Sequence, residues 1–456
     1  MTASETTVDF ARLGAAAAGR RIAAGEFSAR ALTDACLARI AEREPAVQAW
    51  QFLDPGLAQR EAEIRDAAHA AGRPLGALHG VPVGIKDIFD TGDMPTEYGS
   101  PLYAGHRPRQ DAAVVRRLRA AGAVVLGKTV TTEFAARHPG KTRNPHDPGR
   151  TPGGSSSGSA AAVADGMVPL ALGSQTVGST IRPGAYCGAV AYKPSFGLIT
   201  RAGMCPQSRF LDHVGLFARS VEDIALLTEV LAGDDPDDPD TRPFATEGFA
   251  AAVVTAPVRA PRFAFVKTPY WDRAEPAMQA AIAAVAAELG GAAVERDLPS
   301  DFARSWDTTL AILESDMAHN LSREYERGRD RLSASLCALI ESGRRRTAIE
   351  YLAAQAQART YGAELDRLLS EVDAILTPAI TGPAPKGHEA TGDPIFCTLW
   401  TLCGLPAISL PLRPAGGGMP LAVQLVGRRG ADAILLRTAR GLHQRWGGEP
   451  GPATSR

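Results

Sequence analysis

Two glycine-rich turns, each presenting a serine, lie between Pro152 and Gly188. The first reads Gly153-Gly154-Ser155-Ser156-Ser157-Gly158 and the second Thr176-Val177-Gly178-Ser179-Thr180. Upstream, the apolar run Val81-Pro82-Val83-Gly84-Ile85 ends on Lys86. Burial in such a run pushes a lysine toward its neutral form, and a neutral amine is a base. Moving it from its free value of about 10.4 to about 7 takes roughly 4 kcal/mol. Burial and hydrogen bonds to the neutral amine supply shifts of that size. A serine–serine–lysine relay would cut amides with no histidine, cysteine or metal. The plain alternative is an ordinary lysine paired with Asp87.

Three readings of the Gly/Ser segment compete. Gly/Ser tracts are commonly flexible linkers, but Ala160-Ala161-Ala162-Val163-Ala164 follows at once and is helix-forming. Glycine turns that enter a helix also cradle phosphate, yet no Gly-Lys-Ser/Thr follows. The third reading is a catalytic elbow. There the N–H groups of Thr176, Val177, Gly178 and Ser179 converge as an oxyanion hole, each donor contributing about 2.7–4 kcal/mol in a transition state. The chain has nine histidines, but none sits in a recognisable triad motif, so Lys86 is the better candidate base.

The bulk numbers exclude other classes. With 456 residues, 45% of them hydrophobic, the chain can build a substantial core. A net charge of −1 gives no basic field to recruit nucleic acid or an anionic membrane. The six cysteines have no Cys-x-x-Cys spacing, which argues for reduced, mostly buried thiols and against a zinc site. No apolar stretch reaches the ~18 residues of a membrane span, and the first residues lack the apolar core of a signal peptide. A cytoplasmic location is the expectation.

The elements that must position these groups follow from periodicity. Residues 10–24, 28–44 and 55–71 read as helices, with Ser28 as an N-cap and Pro45 as a stop. Strands are expected at 81–85, 123–127 and 168–172, with helices at 112–121 and 159–165 between them. A middle segment carries strands at 263–266 and 293–294, a helix at 276–289, and almost continuous helix from 301 to 369. Asp234 to Asp240 reads as an exposed acidic loop. Strands return at 374–378, 407–410 and 422–426, and a helix at 432–445 should turn Ile434, Leu435, Ala439 and Leu442 to the sheet. The expected organisation is one domain over 1–456. It comprises N-terminal helices (1–70), a core (75–230), a mainly helical insertion (270–370) and C-terminal strands and helix (373–445).

These residues carry a resemblance. Gly80 to Asp87, Gly127-Lys128-Thr129, Asn144-Pro145, the Gly153 to Gly188 stretch, Lys193-Pro194-Ser195-Phe196-Gly197 and Gln424-Leu425-Val426-Gly427 resemble the amidase signature family in order and spacing. The resemblance implies an α/β fold: a mixed, mostly parallel central sheet covered by helices on both faces. It implies a Ser–cis-Ser–Lys triad, with Ser179 as nucleophile, Ser155 as bridge and Lys86 as base, and a cis bond before Ser155. It implies acyl transfer with no cofactor and no metal. Departures are visible: Gln175 stands where many members have an acid, Val177 where they have glycine, and Arg182 lies three residues past the serine rather than two. Ser179-Thr180-Ile181-Arg182-Pro183 resembles a sub-branch of bacterial amidases rather than the glutamine-amidating subunit that works with tRNA.

Substrate choice is less legible. Glu133, Phe134, Tyr186, Phe396, Cys397 and Trp400 are candidate pocket residues, with ordinary core packing as the competing reading of each aromatic. An aromatic wall suits aryl amides, esters or carbamates, the substrates of aryl acylamidases and urethanases. The expectation is a hydrolase of a small-molecule amide, ester or carbamate, a monomer or homodimer with no nucleic acid and no membrane. The alternative is the catalytic subunit of a glutamine-dependent tRNA amidotransferase.

Overall fold

The computed structural model describes residues 9–246, 248–412 and 418–446. The first eight residues of the N-terminal helical segment lie outside them. Among the described residues, eleven strands form one sheet: β1 (Trp50–Leu53), β2 (Pro82–Lys86), β3 (Val124–Thr129), β4 (Leu170–Gln175), β5 (Val190–Lys193), β6 (His213–Ala218), β7 (Phe263–Phe265), β8 (Ala293–Glu295), β9 (Ala374–Pro378), β10 (Ala407–Leu412) and β11 (Leu421–Val426). Their order across the sheet is β1-β3-β2-β4-β6-β5-β10-β11-β9-β7-β8.

Every residue of β2, β3, β4, β5, β6, β9 and β11 is buried. Side chains alternate between the faces of a strand, so these strands are covered on both sides. That is why they appear as largely apolar runs rather than as alternating ones. The sheet is mixed, as expected, but not mostly parallel. Among the described strands only β2–β3, β2–β4, β7–β8 and β7–β9 pair parallel. The other six pairings are antiparallel. β5 and β6 account for much of the difference. They are antiparallel neighbours joined by a long loop, and they separate the parallel group around β2 from the C-terminal strands.

Other expectations shift in detail. The second helix, Ala29–Val47, runs through Pro45 instead of stopping there. Pro45 falls in the last turn, where it removes one intrahelical bond without ending the helix at once, and the helix ends at Gln48 in a left-handed conformation. The acidic 234–240 segment is not an open loop. Asp235 and Asp238 are buried, and Asp238 and Asp240 hold Arg201 at 2.8 and 2.7 Å. In helix Asp432–Arg445, Leu435, Ala439 and Leu442 are buried, whereas Ile434 is 39% exposed. The segment between β7 and β9 carries helices Pro276–Leu289, Ser305–Asn320, Ser322–Gly328, Ala334–Gly343 and Ala348–Glu371. Among the described residues no helix is long and apolar enough to cross a membrane.

Candidate active site

Lys86 is the last residue of β2 and is fully buried. Its Nζ lies 2.7 Å from Ser155 Oγ and 2.8 Å from Ser174 Oγ. Among the described residues no ion pair reaches it. The neighbouring Asp87, just past the end of β2, pairs instead with Lys128 of β3 at 3.1 Å. Burial therefore drives Lys86 well below the ordinary lysine range, against weaker opposing effects from Asp212 and Cys205. Lys86 stands between two hydroxyls rather than beside a carboxylate.

The first glycine turn delivers Ser155. The peptide bond between Gly154 and Ser155 is cis, and Gly153 sits at φ +82°, in the left-handed region that favours glycine. Ser156 N–H donates to the Ser179 carbonyl at 3.3 Å, which ties the first turn to the second. Helix Ser157–Ala164 follows directly and is buried throughout, so the segment is not a linker.

The second turn follows the end of β4. Ser179 is 8% exposed and lies, with Thr176, Val177 and Gly178, on the wall of a cleft of about 1160 Å³. Among the described residues nothing accepts a hydrogen bond from the N–H groups of Thr176, Val177, Gly178 or Ser179, and nothing bonds to Ser179 Oγ. A Cβ on Gly178 would come within 2.8 Å of Pro394 Cβ, so glycine is required there. Val177 is half-buried and faces the cleft, which explains why a side chain is tolerated one residue earlier.

Arg182 is buried and lines the same cleft, donating to the Gly154 carbonyl at 2.6 Å and to Thr391 Oγ1 at 3.0 Å. Asp212 lies at the end of the loop from β5 to β6. It accepts hydrogen bonds from Thr176 Oγ1 (2.6 Å) and from the N–H groups of Gln207 and Ser208 (2.9 Å each). His213 is buried in β6 with Nδ1 2.7 Å from the Leu211 carbonyl, and burial pushes it far toward the neutral form.

The candidate substrate residues separate. Glu133 is on the cleft wall and accepts from Ser333 N–H at 3.2 Å. Phe134 is buried beside Tyr98 and Tyr103. Tyr186, Phe396, Cys397 and Trp400 are core residues, each at most 1% exposed, and none of the four lines the cleft. The apolar wall comes instead from Trp306, Leu313, Met317, Leu332 and Leu339, all in the helical segment. Sequence reasoning also missed Ser174, which touches Lys86, and Asp212, which holds Thr176. Ser174 sits between Gly173 and Gln175, just before the second glycine turn, but nothing in the local pattern marks it. Among the described residues no cluster of side chains is arranged to hold a metal ion.

The general amidase family model matches residues 31–436. The chain belongs to the amidase family. A relative from Chloroflexus aggregans, named as one of the subunits of glutamyl-tRNA(Gln) amidotransferase, is 35% identical over 92% of this chain and 94% of its own length. One of the same name from Salinispora arenicola is 35% identical over 98% of this chain and 99% of its own. Among solved structures, the peptide amidase of Stenotrophomonas maltophilia superposes with a TM-score of 0.84 at 30% identity, covering 97% of this chain and 99% of that one. This amidase is therefore an enzyme of a family acting on C–N bonds. The relatives overturn two expectations. The chain does resemble the glutamine-amidating subunit. A small-molecule substrate handled without nucleic acid, by a monomer or homodimer, is at odds with relatives named as part of a tRNA amidotransferase.

Proposed function

We propose that this amidase breaks a carboxamide C–N bond through an acyl-enzyme on Ser179. Neutral Lys86 takes the proton of Ser155, Ser155 takes that of Ser179, and Ser179 Oγ attacks the carbonyl carbon. The oxyanion is met by the free N–H groups of the Thr176–Ser179 turn. As the C–N bond breaks, the relay returns the proton to the leaving nitrogen. Water, deprotonated by the same relay, then releases the acid. The observation that carries this reading is the 2.7 Å contact with Ser155 of a fully buried Lys86 that no carboxylate neutralises among the described residues. The bond from Ser156 N–H to the Ser179 carbonyl holds the two serine turns together, and relay contacts often tighten when substrate binds.

For the amide itself, the relatives named as a tRNA amidotransferase component support glutamine, with partner subunits completing the enzyme. The cleft wall carries both signs of charge, from Arg182, Arg273 and Arg331 to Glu133 and Asp393, which suits a zwitterionic amino acid. A second reading is an aryl amide, ester or carbamate. It is favoured by the apolar wall around Trp306 and by the likeness to a peptide amidase. The purified protein, with EDTA present, should be given glutamine, a peptide amide, an anilide and an aryl carbamate. The glutamine arm is run with and without the other subunits of a bacterial tRNA amidotransferase and its charged tRNA. Glutamate release that rises with those additions supports the first reading. Turnover of the anilide or carbamate with none on glutamine supports the second. Silence on all four sinks both.

A further inference from the structure

Gln175 is the departure from the family pattern with the richest set of contacts. It is fully buried at the end of β4 and touches both ends of the nucleophile turn. Its Oε1 accepts from the N–H groups of Thr180 and Ile181 at 2.9 Å each, on the far side of Ser179. Its Nε2 donates to Thr401 Oγ1 at 2.9 Å. The Thr401 hydroxyl in turn donates to the Val177 carbonyl at 3.0 Å, sharing its proton with the Cys397 carbonyl at 3.0 Å.

Direction matters in this chain of contacts. A threonine hydroxyl has one proton. Because Gln175 presents a donor, Thr401 accepts there and keeps its proton for carbonyls. A carboxylate at position 175 can only accept, so it would draw that proton to itself and away from Val177. The Val177–Gly178 peptide is trans, which sets its carbonyl and the Gly178 N–H on opposite sides. Holding the Val177 carbonyl on Thr401 therefore fixes the Gly178 N–H on the side away from helix Ile395–Leu402.

We propose that Gln175 and Thr401 are positioning residues that fix the orientation of the Gly178 N–H as an oxyanion donor, with the glutamine amide setting the direction of the Thr401 hydroxyl. This rests on the seryl acyl-enzyme reading above. Neither residue lines the cleft, so both act through the turn and not on substrate.

The test is steady-state kinetics on whichever amide the panel above identifies, with melting temperature measured for every variant. Thr401→Val, nearly isosteric, removes the proton. It should lower kcat about 10- to 100-fold, a fraction of the effect of losing an oxyanion donor outright, and change KM less than about threefold. Thr401→Ser keeps the proton and should recover most of kcat. Gln175→Glu keeps the acceptor for Thr180 and Ile181 but reverses the contact to Thr401. It should match Thr401→Val, and the double variant should be no worse than either alone. A Thr401→Val enzyme within twofold of the parent kcat would overturn the proposal. So would a serine variant as impaired as the valine one, or additive losses in the double variant. Ser179→Ala separates the two failures. If it stays active, the acyl-enzyme reading itself is wrong; if it is dead while Thr401→Val is normal, only the positioning role fails.

Discussion

Ser179→Ala should abolish amide turnover while leaving the protein as stable as the parent. The serine hydroxyl has no hydrogen-bond partner among the described residues and sits on the cleft wall, so removing it leaves no buried group unsatisfied. Removing a hydroxyl that takes part in no bonded network should shift stability by no more than about 0.5 kcal/mol. The turn around it is held by other groups: Gln175 on Thr180 and Ile181, Thr401 on Val177, and Ser156 on the Ser179 carbonyl. The fold of the turn therefore survives, and the attacking atom does not. Loss of a nucleophile in a serine relay costs roughly 10⁴-fold or more in kcat. The measurement is turnover alongside a thermal melt. Retention of more than about a tenth of the activity would move the nucleophile elsewhere.

The unequal legibility of this molecule has a physical cause. Strands covered on both faces, such as β2 and β3, announce themselves as apolar runs, and Lys86 at the end of one is visible because a cation interrupts the pattern. Strand direction is not written locally. β6 pairs antiparallel with both β4 and β5 through a loop whose course depends on contacts such as Asp212 with Thr176. The site shows the same divide. Lys86, Ser155 and the 176–179 turn are carried by short motifs. Ser174 and Thr401 enter the site through tertiary contacts, Thr401 from a distant helix, and so leave no local signal. The aromatics misled because a core aromatic and a pocket aromatic look alike in sequence. Phe396 and Trp400 went to the core, and Trp306, inside a helix with no motif, reached the cleft.

Lys86→Met should be equally inactive, and its stability should distinguish a neutral lysine from a charged one. Methionine fills the space of the side chain but has no proton acceptor, so Ser155 loses its base and turnover should collapse. In the parent, activity should rise with pH through a limb that belongs to the coupled relay rather than to Lys86 alone, because the neutral amine is the working form. Stability follows the same titration. Burial lowers the folded-state value of Lys86 far below that of the unfolded chain. Between the two values the unfolded chain holds a proton that the folded chain lacks, so this group makes stability rise with pH up to about 10.4. Methionine removes that contribution. The melting temperature of Lys86→Met at pH 7 should equal or exceed that of the parent, despite the lost contacts to Ser155 and Ser174. The parent should then gain on the variant as pH is raised toward 10. A difference that stays flat from pH 7 to 10 would mean that Lys86 carries its proton in the folded protein, and a charged lysine cannot open the relay.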